Sequence, residues 1–303
     1  MKELNAVAPM ERVKKKKRRP GERAIESAML LCALLSVAAV VLITVLIFSE
    51  GLPIFSRVSV WDFISGTKWK PTQDIYGIFP MIVGSLYTTA IALLIGIPIG
   101  LGCAIFLAEI APRRVAAVLR RGIEILAGIP SVVFGFFGMV MLVPFIRTFK
   151  LGPGFSVLAA GLILAVMILP TIISISEVSL RAVPKSYRDG SLAMGASKWQ
   201  TIRKVSLPTA KSGIITSIVL GIGRAVGETM AVRLVAGNTP IIPESIFQAV
   251  RTMTVNIVIE MSYVVTGSDH YAALFATGIV LFVFIMILNG LVTMLSRKRV
   301  NSL

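Results

Sequence analysis

Apolar residues in this sequence come in six long runs, separated by polar or charged stretches. The runs are Ala28–Phe48, Met81–Leu107, Ile123–Phe145, Ser156–Ser176, Ser212–Ala236 and Ala272–Leu295. Each has roughly the 20 residues a helix needs to cross the hydrocarbon of a bilayer. The pattern predicts an all-α polytopic membrane protein, with a basic tail over 1–27, a membrane domain over 28–295 and a short tail over 296–303. The first run follows KKKKRRPGER and is longer than the roughly 7–15-residue apolar core of a signal peptide. With no small-x-small cleavage site ahead of a soluble domain, it reads as an uncleaved signal anchor.

The polar stretches fix an orientation. Lys and Arg number nine in the N-terminal tail, four in the Glu109–Gly122 loop, seven in the Val178–Lys211 loop and three in the C-terminal tail. The three alternate loops hold only six between them. Basic loops stay on the cytoplasmic side, so both termini are expected there. Two loops on the other side are long. Glu50–Pro80 carries Trp61, Trp69 and Tyr76, with LPIF and WDF suggesting short surface helices. Gly237–Tyr271 is apolar but interrupted by Arg251 and Glu260. It reads as a helix lying at the surface or dipping back, because a seventh crossing would strand Arg297, Lys298 and Arg299 outside.

Composition agrees with the pattern: 55% of the 303 residues are hydrophobic, 15% are charged and the mean hydropathy is +0.85. Soluble chains carry about 25% charge. The net charge of +16 follows from the loop asymmetry and implies contact with anionic lipid headgroups, not with nucleic acid. Cys32 and Cys103 both lie in apolar runs and form no CxxC, and a single histidine, His270, excludes a multi-histidine metal site. His270 follows Asp269, but no motif places a nucleophile beside them, and the pair reads as a surface contact. Pro98, Pro130 and Pro170 fall inside runs and are read as packing kinks. Thr171 and Ser174 stand by to satisfy carbonyls freed at Pro170.

The Val178–Lys211 loop is the most patterned cytoplasmic segment. Ser186 with Asp189, and Ser197 with Gln200, both fit capping boxes. Gly195 falls where a helix C′ residue belongs, and Pro208 is placed to stop a second helix. Two short helices, about Tyr187–Met194 and Lys198–Ser206, are expected to meet at a corner at Gly195. Such a corner either covers the end of the bundle or is a rigid knuckle for another protein to grip. The run from Asp189 to Pro208 resembles the EAA loop of bacterial ABC-importer permeases, E-A-A-x3-G-x9-I-x-L-P. Asp189, Gly190 and Ser191 stand for E-A-A, and Gly195 keeps its spacing to Val205-Ser206-Leu207-Pro208. The resemblance implies a type I ABC-importer permease whose knuckle, including Ser186 and Ala196, docks on an ATPase subunit. No G-x-x-x-x-G-K-[ST] occurs in the chain, so no nucleotide site of its own is expected.

The fifth run contains GIGRAVGETM, with Arg224 the thirteenth of its 25 residues. An arginine at that depth costs about 2.5–3.5 kcal/mol on insertion scales and must face protein or water. Glu228, four residues on, is expected about 40° further round the same helix. Two readings stand: a buried ion pair fixing helix register, or a guanidinium that contacts a passing oxyanion, with Glu228 moderating it. Gly223, Gly227 and Ala231, and Gly221 with Ala225, form rows that let another helix approach.

GIGRAVGETMAV, together with LAGIPSVVFGFFG (Leu126–Gly138) and VAGN (Val235–Asn238), resembles the PstC-type permease family of bacterial phosphate-specific ABC importers, from about Gly51 to Leu295. The resemblance implies a role for Arg224 and Glu228 in phosphate passage. It also implies a second permease (PstA-like), an ATPase dimer (PstB-like) that binds ATP and Mg in place of this chain, and an extracytoplasmic phosphate-binding protein (PstS-like). Catalytic residues, metal and cofactor are not expected in this chain. Arg233 is left without a role. A permease for sulfate or molybdate, and a self-contained channel or secondary transporter, are the competing readings.

Overall fold

The computed structural model describes residues 20–150 and 152–298, most of them helical. The basic cluster ahead of Pro20 and the tail after Lys298 lie outside the described residues. The chain divides into two units, one ending at Leu46 and the other starting at Ile47. The described part of the first belongs to helix α1 (Pro20–Gly51). Its apolar side chains, among them Leu34, Val41 and Leu46, are exposed around the helix, as in a span solvated by hydrocarbon.

In the second unit a 3-10 turn over Leu52–Ser56 leads to α2 (Val60–Ser65), capped by the Ser59 hydroxyl, which accepts from the Trp61 N–H. A two-residue antiparallel ladder follows, β1 (Trp69–Lys70) on β2 (Ile75–Tyr76). Then come α3 (Phe79–Ile105), α4 (Arg113–Gly128), α5 (Ser131–Phe137), α6 (Val143–Thr148) and α7 (Val157–Arg181). The loop helices α8 (Lys185–Ala193), α9 (Lys198–Thr201) and α10 (Leu207–Thr209) precede α11 (Lys211–Gly227), α12 (Met230–Val235), α13 (Met253–Met261) and α14 (Asp269–Lys298). Wider π turns extend α3 to Ile110, join α5 to α6 and join α9 to α10.

Among the described residues, five helical segments are long and apolar enough to cross a membrane: Ile25–Ser56, Phe79–Ile110, Ser131–Thr148, Val157–Arg181 and Asp269–Val292. The sixth belongs to a pair, Lys198–Thr209 and Lys211–Gly227, bent by 70°. Two boundaries differ from those the apolar runs predict. The third span starts at Ser131, not Ile123. Ile129 and Pro130 are extended (ψ 127° and 141°), so Pro130 caps α5 instead of kinking a span. Residues before a proline are pushed out of the α region, and the preceding turns belong to the amphipathic α4. The fifth run is interrupted after Gly227. Pro98 and Pro170 stay inside continuous helices.

Small residues hold the spans together. A methyl group built on Gly96 or Gly100 of α3 would lie under 3 Å from Ile168 or Ile172 of α7, and one on Gly161 of α7 would strike Ile91. Helices in lipid gain their association from such close packing. The central core joins Ala92, Ile163, Leu164, Ile168, Ala225 and Val235. A second cluster joins Ile54, Phe63, Trp69, Met81, Met253 and Leu274 around the two long loops. A third, with Leu107, Ala116, Ile173, Leu180 and Ile214, lies at the opposite ends of α3 and α7.

Candidate translocation site and coupling hairpin

Arg224 is half-buried on the last turn of α11. Its Nη1 donates to the Thr171 hydroxyl of α7 at 3.4 Å, and it forms no ion pair among the described residues. Glu228 is not its helical neighbour. The backbone leaves the α region there (φ −70°, ψ 130°) and Thr229 follows at φ −120° before α12 begins. The Glu228 carboxylate turns forward and accepts the Ala231 N–H at 3.1 Å, meeting one of the donors that a helix start leaves open. Its carbonyl accepts from the Thr254 hydroxyl of α13 at 3.2 Å. The predicted one-face Arg224–Glu228 pair is therefore corrected: a helix break lies between them, and a neutral hydroxyl, not a carboxylate, meets the guanidinium. Arg233, on α12, is exposed.

The two rows of small residues have different neighbours. A methyl on Gly221 would come 3.2 Å from Ile172, and buried Ala225 shares that packed side. One on Gly223 or Gly227 would meet nothing within 4 Å, so that side of α11 is open. Ala231 packs on α5, its Cα 2.8 Å from where a Gly135 methyl would be.

The Val178–Lys211 loop folds as two helices around Gly195, which adopts φ +84°. The second helix has its capping box: Ser197 Oγ accepts the Gln200 N–H, and Gln200 Oε1 accepts the Ser197 N–H. The first does not. α8 starts at Lys185 behind Pro184, which places Ser186 and Asp189 inside the helix. Gly190 also lies in α8, and nothing surrounds the space beside it. Ser191 bonds across the corner to the Thr201 hydroxyl at 3.0 Å. Ala196 forms part of the corner, its N–H donating to the Ser191 carbonyl at 3.2 Å. Val205 is in the π turn, and Leu207 and Pro208 are in α10. Pro208 does not stop the helix; the chain turns two residues later, at Ala210. Tyr187, Leu192, Met194 and Trp199 stand exposed on this hairpin.

Two charge clusters went unread in the sequence. At the hairpin end, buried Glu177 of α7 accepts from Arg120 of α4 at 2.6 Å and from Arg181 at 2.8 Å. Arg181 also donates to the Leu107 carbonyl. The hydrogen bond to Glu177 holds the Arg120 guanidinium above its ordinary pKa. Arg188 of α8 donates to the Leu180 carbonyl at 2.6 Å and pairs with Glu109 at 3.0 Å. At the other end, buried Glu260 accepts from Arg251, from the Trp69 indole and from His270, at 2.8, 2.8 and 2.7 Å. Burial foremost, then the negative charge of Glu260, push the Tyr263 phenol up. The signal for both clusters was an acid isolated in apolar sequence. Arg181 lies four residues from Glu177 on the same helix, a local signal, but the other partners lie as far as 191 residues away.

Residues 96–301 match the family described as binding-protein-dependent transport system inner membrane component. The chain belongs to this family. As a member of the binding-protein-dependent permeases it is an inner-membrane protein. Among its relatives is a probable ABC transporter permease protein, YqgH, of Bacillus subtilis, 45% identical over 273 residues and covering 88% of each chain. The phosphate transport system permease protein PstC of Mesorhizobium japonicum is 34% identical, covering 81% of this chain and 83% of the relative. PstC 1 of Mycobacterium tuberculosis is 35% identical, covering 80% and 84%. The fold is shared with a bacterial ABC transporter that imports alginate (TM-score 0.61, 13% identity, covering 91% of this permease and 98% of that chain). It is shared also with the MetNI methionine transporter (TM-score 0.52, 21% identity, covering 78% and 99%).

Proposed function

We propose that this permease is the PstC-type membrane subunit of an ATP-driven phosphate importer, paired with a second permease and served by an outer phosphate-binding protein. The observation that carries the reading is Arg224: a half-buried guanidinium in a membrane helix, met by a hydroxyl, beside a helix break. An oxyanion supplies the charge that the protein withholds, and the planar fork of arginine suits phosphate. Discontinuous helices with backbone groups turned to a cavity recur at transport sites. Relatives of similar length named as phosphate permeases support the choice of anion.

The α8–α9 hairpin is the place for a separate ATPase dimer, which binds ATP and Mg. Its exposed Leu192, Met194 and Trp199, with Lys198, Arg203 and Lys204, offer an apolar and basic surface. Arg188 ties the hairpin to α7 and to the end of α3, so closure of the ATPases moves those spans together. Alternating access then opens the Arg224 region to one side at a time.

The deciding measurement is uptake of radiolabelled phosphate by assembled complexes carrying Arg224→Gln. Uptake falls at least tenfold with the ATPase still bound. Unchanged uptake rejects the assignment.

A further inference from the structure

We infer that Thr171 is a second contact for the translocated anion and the residue that positions Arg224; this rests on the proposed anion passage. Thr171 lies in α7 directly after Pro170, where the sequence suggests that its hydroxyl serves a freed carbonyl. The structure uses it otherwise. Hydroxyls elsewhere in the spans donate to the carbonyl four residues back: Thr88 to Gly84, Ser179 to Ile175, Thr216 to Ser212 and Thr277 to Ala273. Thr171 makes no such bond among the described residues; its oxygen instead accepts from Arg224 Nη1 at 3.4 Å. A hydroxyl has one proton to give and two lone pairs, so the Thr171 proton remains available beside the guanidinium.

The surroundings direct that proton to the site. Residues three and four apart on a helix share a face, and after Thr171 these are Ser174 and Ile175. Ser174 is exposed, whereas the neighbours Ile172 and Ile173 are buried against the protein. On α11, Gly223 and Gly227 flank Arg224 and face open space. The one acidic group close in sequence, Glu228, is occupied with the start of α12. An anion reaching Arg224 from the open side thus meets the guanidinium and the hydroxyl together. Between passages the same hydroxyl holds the guanidinium in place with a neutral group, which does not compete for it as a carboxylate does.

The test compares Thr171→Val, Thr171→Ser and Arg224→Gln in complete importer complexes, reading phosphate uptake kinetics and ATPase activity. Hydrogen bonds to charged groups contribute about 1.5–3 kcal/mol, so Thr171→Val raises the KM for uptake about tenfold or more. Thr171→Ser, which keeps the hydroxyl, stays within about twofold of the parent. Co-purification of the ATPase with each variant confirms assembly; should Thr171→Val fail to assemble, Thr171→Ala takes its place in the same comparison. A parental KM in the valine or alanine variant, or a serine variant as impaired as valine, overturns the inference. If Arg224→Gln abolishes uptake while Thr171→Val does nothing, this inference fails and the anion passage stands. If neither variant changes uptake, both fail.

Discussion

At the scale of single residues, this permease treats its buried charges in two ways. Glu177 and Glu260 are each wrapped by donors, so their charge is spent on structure. Arg224 has a hydroxyl for a partner, and its charge is left for something else. Removing one partner of a buried pair leaves the other uncompensated, which costs about 3–5 kcal/mol. Arg251 is 15% exposed and takes its charge balance from Glu260. Glu260→Ala is therefore expected to lower the thermal unfolding midpoint of the purified complex markedly. Glu260→Gln, which keeps an acceptor for Trp69, is expected to lower it less. A midpoint unchanged by the alanine substitution contradicts the structural role of this cluster. Arg224→Gln makes the contrast: its effect falls on uptake and not on the midpoint.

At the scale of elements, what the sequence made legible were features encoded locally. A span declares itself by the length of its apolar run, and the Ser197–Gln200 cap and the Gly195 corner depend on residues within four of each other. The break at Gly227 and Glu228 was hidden because the i, i+4 spacing of Arg224 and Glu228 also fits a continuous helix, although Arg before Glu is the weaker order for such a pair. Only tertiary partners, Thr254 from α13 and Thr171 from α7, show which reading holds. The start of the third span was legible in Ile129–Pro130 but masked by the apolar end of α4. The corner at Gly195 yields a sharp expectation because its two constraints separate. A side chain there would touch nothing within 4 Å, so only the positive φ resists it. That resistance is roughly 1–2 kcal/mol for an ordinary residue and is smaller for asparagine. Gly195→Asn is expected to retain most phosphate uptake, while Gly195→Val loses ATPase coupling. Equal uptake in the two variants argues against a fixed corner, since bulk without strain cannot distinguish them.

At the scale of the whole molecule, charge and fold together predict an orientation. α3 and α7 both end beside the hairpin, where Arg120, Arg181 and Arg188 converge with Glu177 and Glu109. Both begin beside the long loops, with Met253 donating its N–H to Ser85 of α3 and Val157 of α7 donating to the Gln248 carbonyl. The basic excess thus gathers at one end of the spans, and moving it across the membrane would reverse the bias that keeps Lys and Arg cytoplasmic. Single cysteines at exposed Lys70 and Lys198 test this in a Cys32→Ala, Cys103→Ala background, which removes both native thiols. A membrane-impermeant maleimide should label Lys70→Cys in intact cells and Lys198→Cys only after permeabilisation. Labelling of Lys198→Cys in intact cells would put the hairpin outside. There it could meet neither ATP nor an ATPase, and the coupling route through Arg188 to α7 and α3 would have nothing to drive it.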